Sequence, residues 1–217
     1  ENAYLVAAKL AASGYKVVKL KIGTGIAEDT ARYSAVRKAL DEHSPGLKIR
    51  LDANQGYSRR EAHEAFSGSL FEGAEFCEQP LKKHDLDGLA WLSSFCRVPV
   101  MADESAFDSL DVMEIIKRGA CPMVNLKLTK TGGVWEAVKA AAVADAGGLE
   151  CMMGGMVESK IGVTAAAHVA LSRGVFRYFD LDAHTGHAED PIIGGVTYAE
   201  GHCLLPCEPG LGAHPDP

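Results

Sequence analysis

The sequence has no long hydrophobic run. No apolar stretch approaches the roughly 20 residues that a membrane-spanning helix requires, so we do not expect a membrane protein. The opening segment, ENAYLVAAKLAASGY, also lacks the positively charged region and the cleavage site of a signal peptide. It is therefore predicted to form a helix of the folded protein.

Blocks of positive charge and closely paired cysteines are also missing. Acidic residues outnumber basic ones, 29 to 22, for a formal net charge of −7, which argues against nucleic acid or an anionic membrane as the main partner. The six cysteines include no C-x-x-C pair, and Cys77 and Cys151 stand in apolar runs, where cysteine is typically a small buried hydrophobe. We therefore expect reduced thiols, a cytoplasmic protein and no disulfide framework.

What the sequence does contain is a series of short apolar runs that alternate with helical segments. The chain has 217 residues, 47% of them hydrophobic, enough for one domain with a sizeable core. Strands that alternate with helices indicate parallel βαβ units. The predicted strands are 17–22, 48–52, 74–78, 98–102, 123–126, 149–152 and 177–181, and the predicted helices include 30–43, 59–70, 110–118, 134–146 and 161–172.

Charged residues stand at the carboxyl end of nearly every predicted strand. They are Lys21, Asp52, Glu78, Asp103, Lys127, Asp180 and Asp182. The first five follow one another at intervals of about 24 to 31 residues, the length of one strand-and-helix unit of a (β/α)8 barrel. In a closed barrel these ends meet at one mouth, where such enzymes have their active sites, whereas an open doubly wound sheet would not bring them together. The sequence therefore predicts an α/β fold, a (β/α)8 TIM-type barrel.

The strand count is one short of a closed barrel. A barrel of seven strands would leave two unpaired edges, which is an aggregation hazard. We therefore expect residues 1–217 to form one barrel domain, consisting of strands two to eight and a C-terminal tail, with the first strand lying outside this sequence.

Three acids at the strand ends favour a metal site. Asp52, Glu78 and Asp103 come from successive strands, so their carboxylates would lie side by side and repel unless a cation sits among them. Any one of them alone is better explained as a solvated residue or a partner of lysine, but three at one register favour a metal. Hard oxygen ligands suit Mg²⁺ or Mn²⁺.

Three lysines are candidates for proton transfer. Lys19 and Lys21 alternate with apolar residues, so both point to one face of their strand, the predicted barrel interior, and Lys127 would face them across the mouth. A neighbouring positive charge, from another lysine or a divalent cation, lowers the pKa of a buried lysine. Two such lysines on opposite sides of a metal-bound substrate can remove a proton from one face and return it to the other.

These residues belong to six ordered motifs, which together resemble the enolase superfamily, specifically its muconate-lactonizing-enzyme-like branch. The resemblance runs from about Gly14 to Gly212. The matching segments are Lys19-Leu20-Lys21, Arg50-Leu51-Asp52-Ala53-Asn54-Gln55, Glu78-Gln79-Pro80, Ala102-Asp103-Glu104-Ser105, Asn125-Leu126-Lys127 and Lys130-Thr131-Gly132-Gly133.

The resemblance implies a mechanism. Members of this family abstract the proton α to a carboxylate and hold the resulting enediolate on Mg²⁺. Carried over by position, Asp52, Glu78 and Asp103 look like the Mg²⁺ ligands. Lys21 and Lys127 look like the two acid/base catalysts, with Lys19 tuning Lys21. The resemblance also implies that an α+β capping domain, which usually supplies part of the substrate pocket, and the first barrel strand lie outside residues 1–217.

The substrate class is suggested by the end of the last strand. Asp180-Leu181-Asp182 resembles the D-x-D signature of dipeptide epimerases such as L-Ala-D/L-Glu epimerase, where the acids hold the free amino terminus of the substrate. Two carboxylates at a period of two face the same way and suit an ammonium, although a salt bridge or a helix cap would explain them too. Asn54, Gly154 and Glu158 are further candidates for substrate contact. The expected partners are a small-molecule substrate and, for assembly, further copies of the same chain.

Other functions stay open at this point. The same machinery serves muconate cycloisomerisation, o-succinylbenzoate synthesis and N-acylamino acid racemisation, none of which needs an anchor for an ammonium. A catalytically inactive barrel subunit would also fit the pattern. So would a Schiff-base aldolase, since a barrel lysine can attack a carbonyl group.

Two further patterns are not expected to carry a function. The Gly-Thr-Gly at 23–25 begins like a dinucleotide-binding loop, but position 28 is Glu and not Gly. His184 and His187, with Cys203 and Cys207, have no spacing that defines a zinc geometry. We expect the two histidines to lie in a surface loop.

Overall fold

Short strands alternate with helices along the chain. The structure is a computed structural model that describes residues 2–217. The helices are α1 (Asn2–Ala12), α2 (Ile26–His43), α3 (Arg59–Phe66), α4 (Leu86–Ser93), α5 (Ser109–Arg118), α6 (Leu128–Thr131), α7 (Val134–Ala146) and α8 (Lys160–Leu171), with a 3-10 turn at Ala183–Gly186. The strands are β1 (Val17–Lys21), β2 (Lys48–Asp52), β3 (Ala74–Glu78), β4 (Val100–Ala102), β5 (Met123–Leu126), β6 (Glu150–Met153), β7 (Phe176–Phe179), β8 (Ile192–Gly194), β9 (Thr197–Ala199), β10 (His202–Leu204) and β11 (Ala213–Pro215).

The first of two compact units comprises the described residues up to Ser105 together with Lys117–Pro122. Its strands β1 to β4 are parallel and lie in the order of the chain. Apolar side chains of the sheet and of the helices form its core, with Leu40, Ile49 and Phe76 fully buried. This sequential parallel order is what βαβ units produce.

The second unit comprises Ala106–Ile116 and Met123–Pro217. Its strands β5 to β7 are also parallel and in chain order. Helix α7 packs against β5 and β6, and α8 packs against β6 and β7. The buried faces of both helices are rich in alanine, which allows close approach to the sheet. Two short antiparallel pairs follow in the C-terminal tail, β9 with β10 and β8 with β11.

The predicted α/β class and the seven parallel strands are confirmed, and every predicted strand is found with its ends within two residues. A capping box starts α3, since the Ser58 side chain accepts from the Glu61 N–H and the Glu61 side chain accepts from the Ser58 N–H. Helices α4 and α6 and the four strands of the tail were not among the predictions. That residues 1–217 form one barrel domain stays a prediction.

Two global features accompany this fold. All six cysteines are free. No helix within residues 2–217 is long and apolar enough to cross a membrane.

The loop between β1 and α2 is built around Asp29, which is fully buried. Its carboxylate accepts hydrogen bonds from the N–H groups of Gly23 (2.8 Å), Thr24 (3.1 Å) and Gly25 (3.1 Å) and from the Tyr57 hydroxyl (2.7 Å). Burial raises the pKa of Asp29, but these hydrogen bonds outweigh burial and hold that pKa below its ordinary value. The Gly-Thr-Gly segment therefore wraps a carboxylate of the chain's own helix.

Two glycines let the loops after β1 and β2 touch through their backbones. A Cβ at Gly23, which has a φ of 95°, would lie 2.5 Å from the Ala53 carbonyl oxygen. A Cβ at Gly56 would lie 2.4 Å from the Gly23 carbonyl oxygen. Because no side chain fits at either position, only glycine allows the loops that follow β1 and β2 to approach this closely.

Substitution of Asp29 tests this account of the loop. Asp29→Ala leaves three backbone N–H groups and the Tyr57 hydroxyl without their acceptor in a buried place, so we expect the free energy of unfolding to fall by about 3 kcal/mol. Urea denaturation measures the effect. The matched control is Asp41→Ala on the same helix, whose exposed side chain makes an i, i+4 ion pair with Arg37, and its midpoint should stay near that of the wild type. Equal midpoints for the two variants would contradict the account.

Candidate active site

The register of the first unit's sheet aligns three of the predicted site residues. Lys21 of β1 is paired with Asp52 of β2, and Asp52 is paired with Glu78 of β3. Glu78 is paired in turn with Met101 of β4, and Asp103 follows two residues later. Because the strands are parallel, their carboxyl ends bring these charged groups to the same edge of the sheet.

Lys19 and Lys21 reach the same carboxylate oxygen. Asp52 Oδ2 lies 2.6 Å from Lys21 Nζ and 3.3 Å from Lys19 Nζ. Lys19 Nζ also lies 2.8 Å from Glu78 Oε2. This shared contact confirms that both lysines point to one face of β1. The Lys19 side chain is only 20% exposed and bridges two acids, whereas the Lys21 side chain is 64% exposed and stands at the accessible side.

Asn54 holds the Lys21 ammonium from the other side. Lys21 Nζ donates to Asn54 Oδ1 at 2.7 Å, and the Asn54 N–H donates to Asp52 Oδ1 at 3.1 Å. Asn54 has a positive φ of 40°, a conformation that asparagine tolerates better than most residues. Asn54 therefore orients the Lys21 ammonium. That Asn54 also contacts the substrate stays a prediction.

The three predicted metal ligands are almost fully buried. Asp52, Glu78 and Asp103 are 1%, 0% and 1% exposed. Burial raises the pKa of Glu78; Lys19 lowers it, and the charges of Asp103 and Asp52 raise it further, so that it reaches about 7. The negative charge collected at this edge therefore exceeds what Lys19 alone compensates.

The chemistry of this donor set fits a divalent cation. Within residues 2–217, no three His, Cys, Asp or Glu side chains converge closely enough to form a ready-made metal cage. The three buried carboxyl groups nevertheless interact through their charges, and an added cation would relieve their repulsion. Carboxylate oxygens are the ligands that Mg²⁺ prefers.

Gln79 holds Asp103 in place, a role that the sequence does not assign. Its buried side-chain oxygen accepts the N–H groups of Asp103 (2.9 Å) and Ser105 (3.1 Å). Its amide group donates to the Leu81 carbonyl oxygen and to Ser105 Oγ, both at 2.9 Å. The sequence shows only that Gln79 directly follows Glu78 at the end of a buried strand. The groups that Gln79 binds lie on two different loops, so the sequence alone does not reveal its role.

The second unit aligns another set of predicted residues. Leu126 of β5 is paired with Met153 of β6, and Met153 is paired with Phe179 of β7. The residues that follow these three are Lys127, Gly154 and Asp180. The Gly154 N–H donates to the Leu126 carbonyl oxygen at 3.0 Å, and the Asp180 N–H donates to that of Met153 at 2.9 Å. The hydrogen-bonded register thus continues past the ends of the strands.

Lys127 is buried at the start of α6, where the sequence predicts a catalytic lysine. Its Nζ lies 3.7 Å from Met156 Sδ. Glu158 is also buried, and its Oε1 accepts hydrogen bonds from Thr129 Oγ1 at 3.0 Å and from the Met156 N–H at 3.1 Å. Sequence reasoning singles out neither Met156 nor Thr129, since neither residue type points to a chemistry.

Gly154 is needed for packing within the second unit. A Cβ at this position would lie 2.4 Å from Asn125 Oδ1. Asn125 is fully buried on β5, and its carbonyl oxygen accepts from Lys130 Nζ at 2.8 Å. Any side chain at Gly154 would therefore displace Asn125, two residues before Lys127.

The two acids of the D-x-D sequence lie just past their strand. β7 ends at Phe179, so the predicted extension of the strand to Leu181 is wrong. Asp182 immediately precedes the 3-10 turn with φ −103° and ψ 7°, which is not extended, and its side chain is exposed. The period-two argument therefore does not apply to these residues, and their contact with a substrate ammonium stays a prediction.

One expectation about the tail is wrong. His184 does not lie in a surface loop, because its side chain is only 8% exposed within the 3-10 turn and lies next to the Tyr198 ring. Burial lowers the pKa of His184. The Tyr198 hydroxyl donates to the Leu181 carbonyl oxygen, so these residues fasten β9 to the segment after β7.

Comparison with known proteins supports the sequence-based interpretation. The chain matches the model of the family described as enolase C-terminal domain-like over residues 3–217. It is 39% identical over 201 residues to the L-Ala-D/L-Glu epimerase of Clostridium acetobutylicum, which corresponds to 92% of this chain and 55% of that protein. The chain thus spans about half the length of the curated relatives that it matches.

Solved structures agree with this match. The substrate-liganded L-Ala-D/L-Glu epimerase from Bacillus subtilis superposes with a TM-score of 0.92 at 38% identity, over 97% of this chain and 58% of that one. The dipeptide epimerase from Enterococcus faecalis V583, complexed with Mg and the dipeptide L-Leu-L-Tyr, superposes with a TM-score of 0.90 at 38% identity, over 97% and 59% of the two chains. The predicted TIM-type barrel class is therefore confirmed, and the chain belongs to the enolase C-terminal domain-like family, among the muconate-lactonizing-enzyme-like members of the enolase superfamily.

Proposed function

We propose that this chain is the barrel part of a Mg²⁺-dependent epimerase that transfers a proton at the carbon α to a carboxylate, with a dipeptide as substrate. The observation that carries the proposal is the pair Lys19 and Lys21, which share the buried carboxylate of Asp52 next to Glu78. Similarity to dipeptide epimerases supports the same assignment.

In this proposal Asp52, Glu78 and Asp103 hold Mg²⁺, which supplies Lewis-acid stabilisation of the negative charge that develops on the substrate carboxylate. Lys19 keeps Asp52 and Glu78 together, because its Nζ bridges both carboxylates. Gln79 fixes the backbone of Asp103 through its bond to the Asp103 N–H. The protein itself therefore pre-organises the oxygen donors before the substrate arrives.

Proton transfer is assigned to two lysines. Lys21 Nζ exchanges the α-proton on one face of the substrate and Lys127 Nζ exchanges it on the other, each acting as base or acid according to the direction of the reaction. Asn54 Oδ1 orients the Lys21 ammonium. Asp180 and Asp182 bind the α-ammonium of the dipeptide. An N-acylated substrate has no such ammonium.

We also propose a cytoplasmic setting for this protein and its assembly into a homo-oligomer. Six free cysteines and a net charge of −7 are compatible with a cytoplasmic protein that acts on a small molecule. Mg²⁺ is the favoured ion, with Mn²⁺ as a substitute of similar ligand preference, and assembly into a homo-oligomer stays a prediction.

Removal of Lys127 tests the two-base mechanism. With Lys127→Ala, Lys21 alone still removes and returns a proton on its own face, so epimerisation should fall by at least about 1,000-fold while one epimer keeps exchanging its α-proton with solvent. Proton NMR in D₂O on the full-length protein measures both. Lys48→Ala, at the amino end of β2 with an exposed side chain, is the control. Epimerisation by Lys127→Ala at the wild-type rate would contradict the mechanism.

Asp182 distinguishes a dipeptide from an N-acylated substrate. Asp182→Asn removes a charge that pairs with the substrate ammonium, so KM for a dipeptide should rise about 10-fold or more. An N-acetylated dipeptide has no ammonium, and its turnover should not change between the wild type and the variant. Glu189→Gln, another exposed acid in the following segment, is the control. An unchanged KM for the dipeptide would favour N-acylamino acid racemisation or cycloisomerisation.

The raised pKa of Glu78 predicts how stability depends on pH. The folded value of about 7 lies above the ordinary value of 4.5, so the folded state binds more protons than the unfolded state between these values, and its stability falls as the pH rises through this window. In chelator, the melting temperature of the wild type should therefore fall more between pH 5 and pH 8 than that of Glu78→Gln.

Added Mg²⁺ should raise the melting temperature of the wild type more at pH 8 than at pH 6, because metal ligands must be deprotonated. In Glu78→Gln this difference should be much smaller. The same pH dependence in both proteins, with and without Mg²⁺, would show that Glu78 does not titrate in the ligand set.

A further inference from the structure

A single carboxyl oxygen in the second unit connects two segments that flank the catalytic-lysine candidate Lys127. Glu158 Oε1 accepts the Thr129 hydroxyl at 3.0 Å and the Met156 N–H at 3.1 Å. Thr129 lies in α6 two residues after Lys127, and Met156 lies in the loop between β6 and α8. The oxygen therefore links the Thr129 side chain in α6 to the backbone of the loop that carries Met156.

The Met156 side chain is where the two segments meet. Its sulfur lies 3.7 Å from Lys127 Nζ, and a thioether sulfur is a weak acceptor for an ammonium. Met156 and Val157 are exposed large hydrophobic residues, 52% and 87%, so apolar packing does little to hold this loop in place. The N–H bond to Glu158 is the contact that fixes the Met156 backbone.

Glu158 itself is held firmly. Its side chain is 6% exposed, and a Cβ at Gly162 would lie 3.2 Å from Oε2, so α8 packs closely against the carboxyl group. The next residue, Ser159, caps α8 by accepting the Gly162 N–H. Packing against α8 therefore restricts the Glu158 side chain, whose Oε1 binds both segments.

We propose that Glu158 is a positioning residue for Lys127: through one oxygen it clamps α6 to the 154–159 loop and so holds Met156 against the lysine ammonium. The inference rests on the proposed function and deepens it, because it assigns Glu158 to one of the two half-reactions. The sequence-based prediction that Glu158 contacts substrate is the alternative that the experiment distinguishes from it. A lysine has a long, flexible stem, and a misplacement of about 1 Å at a catalytic group costs about 100-fold in rate.

Both hydrogen bonds end on the same Glu158 oxygen, so substitutions at Glu158 remove them together and substitutions at Thr129 remove one of them. Glu158→Gln keeps an oxygen that accepts both bonds, whereas Glu158→Leu keeps the volume and loses both. Thr129→Val removes one of the two donors, whereas Thr129→Ser keeps the hydroxyl that donates. Ser172→Ala removes a hydrogen bond at the far end of α8, where Ser172 Oγ donates to the Val169 carbonyl oxygen at 2.7 Å, and it reports what a purely structural loss does.

The first readout is α-proton exchange of each epimer of a dipeptide in D₂O, measured with Mg²⁺ on the full-length protein. The exchange that depends on Lys127 is the one that Lys127→Ala abolishes. Glu158→Leu should lower that exchange by about 10- to 100-fold, while exchange of the other epimer stays within about 3-fold. Glu158→Gln should recover most of the loss, and Ser172→Ala should lower the melting temperature without changing the ratio of the two epimers' exchange rates.

Four outcomes would overturn the inference. Glu158→Leu could lower both exchanges equally, as loss of a substrate contact would, or lower neither. Glu158→Gln could be as slow as Glu158→Leu, which would mean that the charge and not the hydrogen-bonding oxygen matters. Thr129→Val could leave the Lys127-dependent exchange unchanged.

A second readout is independent of activity. The chain has six methionines, so a spectrum of protein labelled with ¹³C at the methionine methyl groups is simple, and Met156→Leu identifies the Met156 signal. Glu158→Leu and Thr129→Val should move this signal, and Glu158→Gln should not. If the wild type exchanges no dipeptide, the proposed function fails, yet a moved Met156 signal still establishes the clamp. A signal that stays in place in Glu158→Leu would overturn the clamp whatever the activity.

Discussion

Carboxyl groups taken out of water at the ends of parallel strands are the constraint on which the candidate site depends. Asp52 and Glu78 are almost completely buried, and a buried negative charge is costly unless a positive charge compensates it. Lys19 supplies part of the compensation by bridging both acids. The carboxyl group of Glu78 still has a raised pKa, which means that the site favours a further cation. The placement of Lys19 and the proposed preference for a divalent cation therefore follow from one electrostatic requirement.

Most of the fold follows from local patterns in the sequence. The strands were predictable because short apolar runs end in charged residues, and Ser58 with Glu61 marks the start of α3. The missed helix α4 depends on tertiary contacts, since its capping residue Asp85 also binds Arg59 of α3. The missed α6 is only four residues long, too short for a periodic pattern. β7 ends two residues before its predicted end, and a 3-10 turn follows at Ala183–Gly186.

The candidate site was predictable to a different degree at different residues. The charged strand ends were identified because a charged residue at the end of an apolar run can be recognised from the sequence alone. The contributions of Gln79 and Glu158 were not, because each depends on partners from other segments: Asp103 and Ser105 for Gln79, Thr129 for Glu158. Amide and carboxyl groups of this kind have no spacing signature. Their roles become visible only when burial and hydrogen-bond partners are known.

The central claim is Mg²⁺-dependent proton transfer at the α-carbon of a dipeptide, and α-proton exchange of the wild-type protein tests it most directly. The measurement is proton NMR of the full-length protein with Mg²⁺ in D₂O against a small dipeptide panel that includes L-Ala-L-Glu. The account predicts that the α-proton signal of at least one dipeptide disappears, that a chelator stops the loss and that added Mg²⁺ restores it. Retention of every α-proton signal, or exchange that a chelator does not affect, would contradict the account.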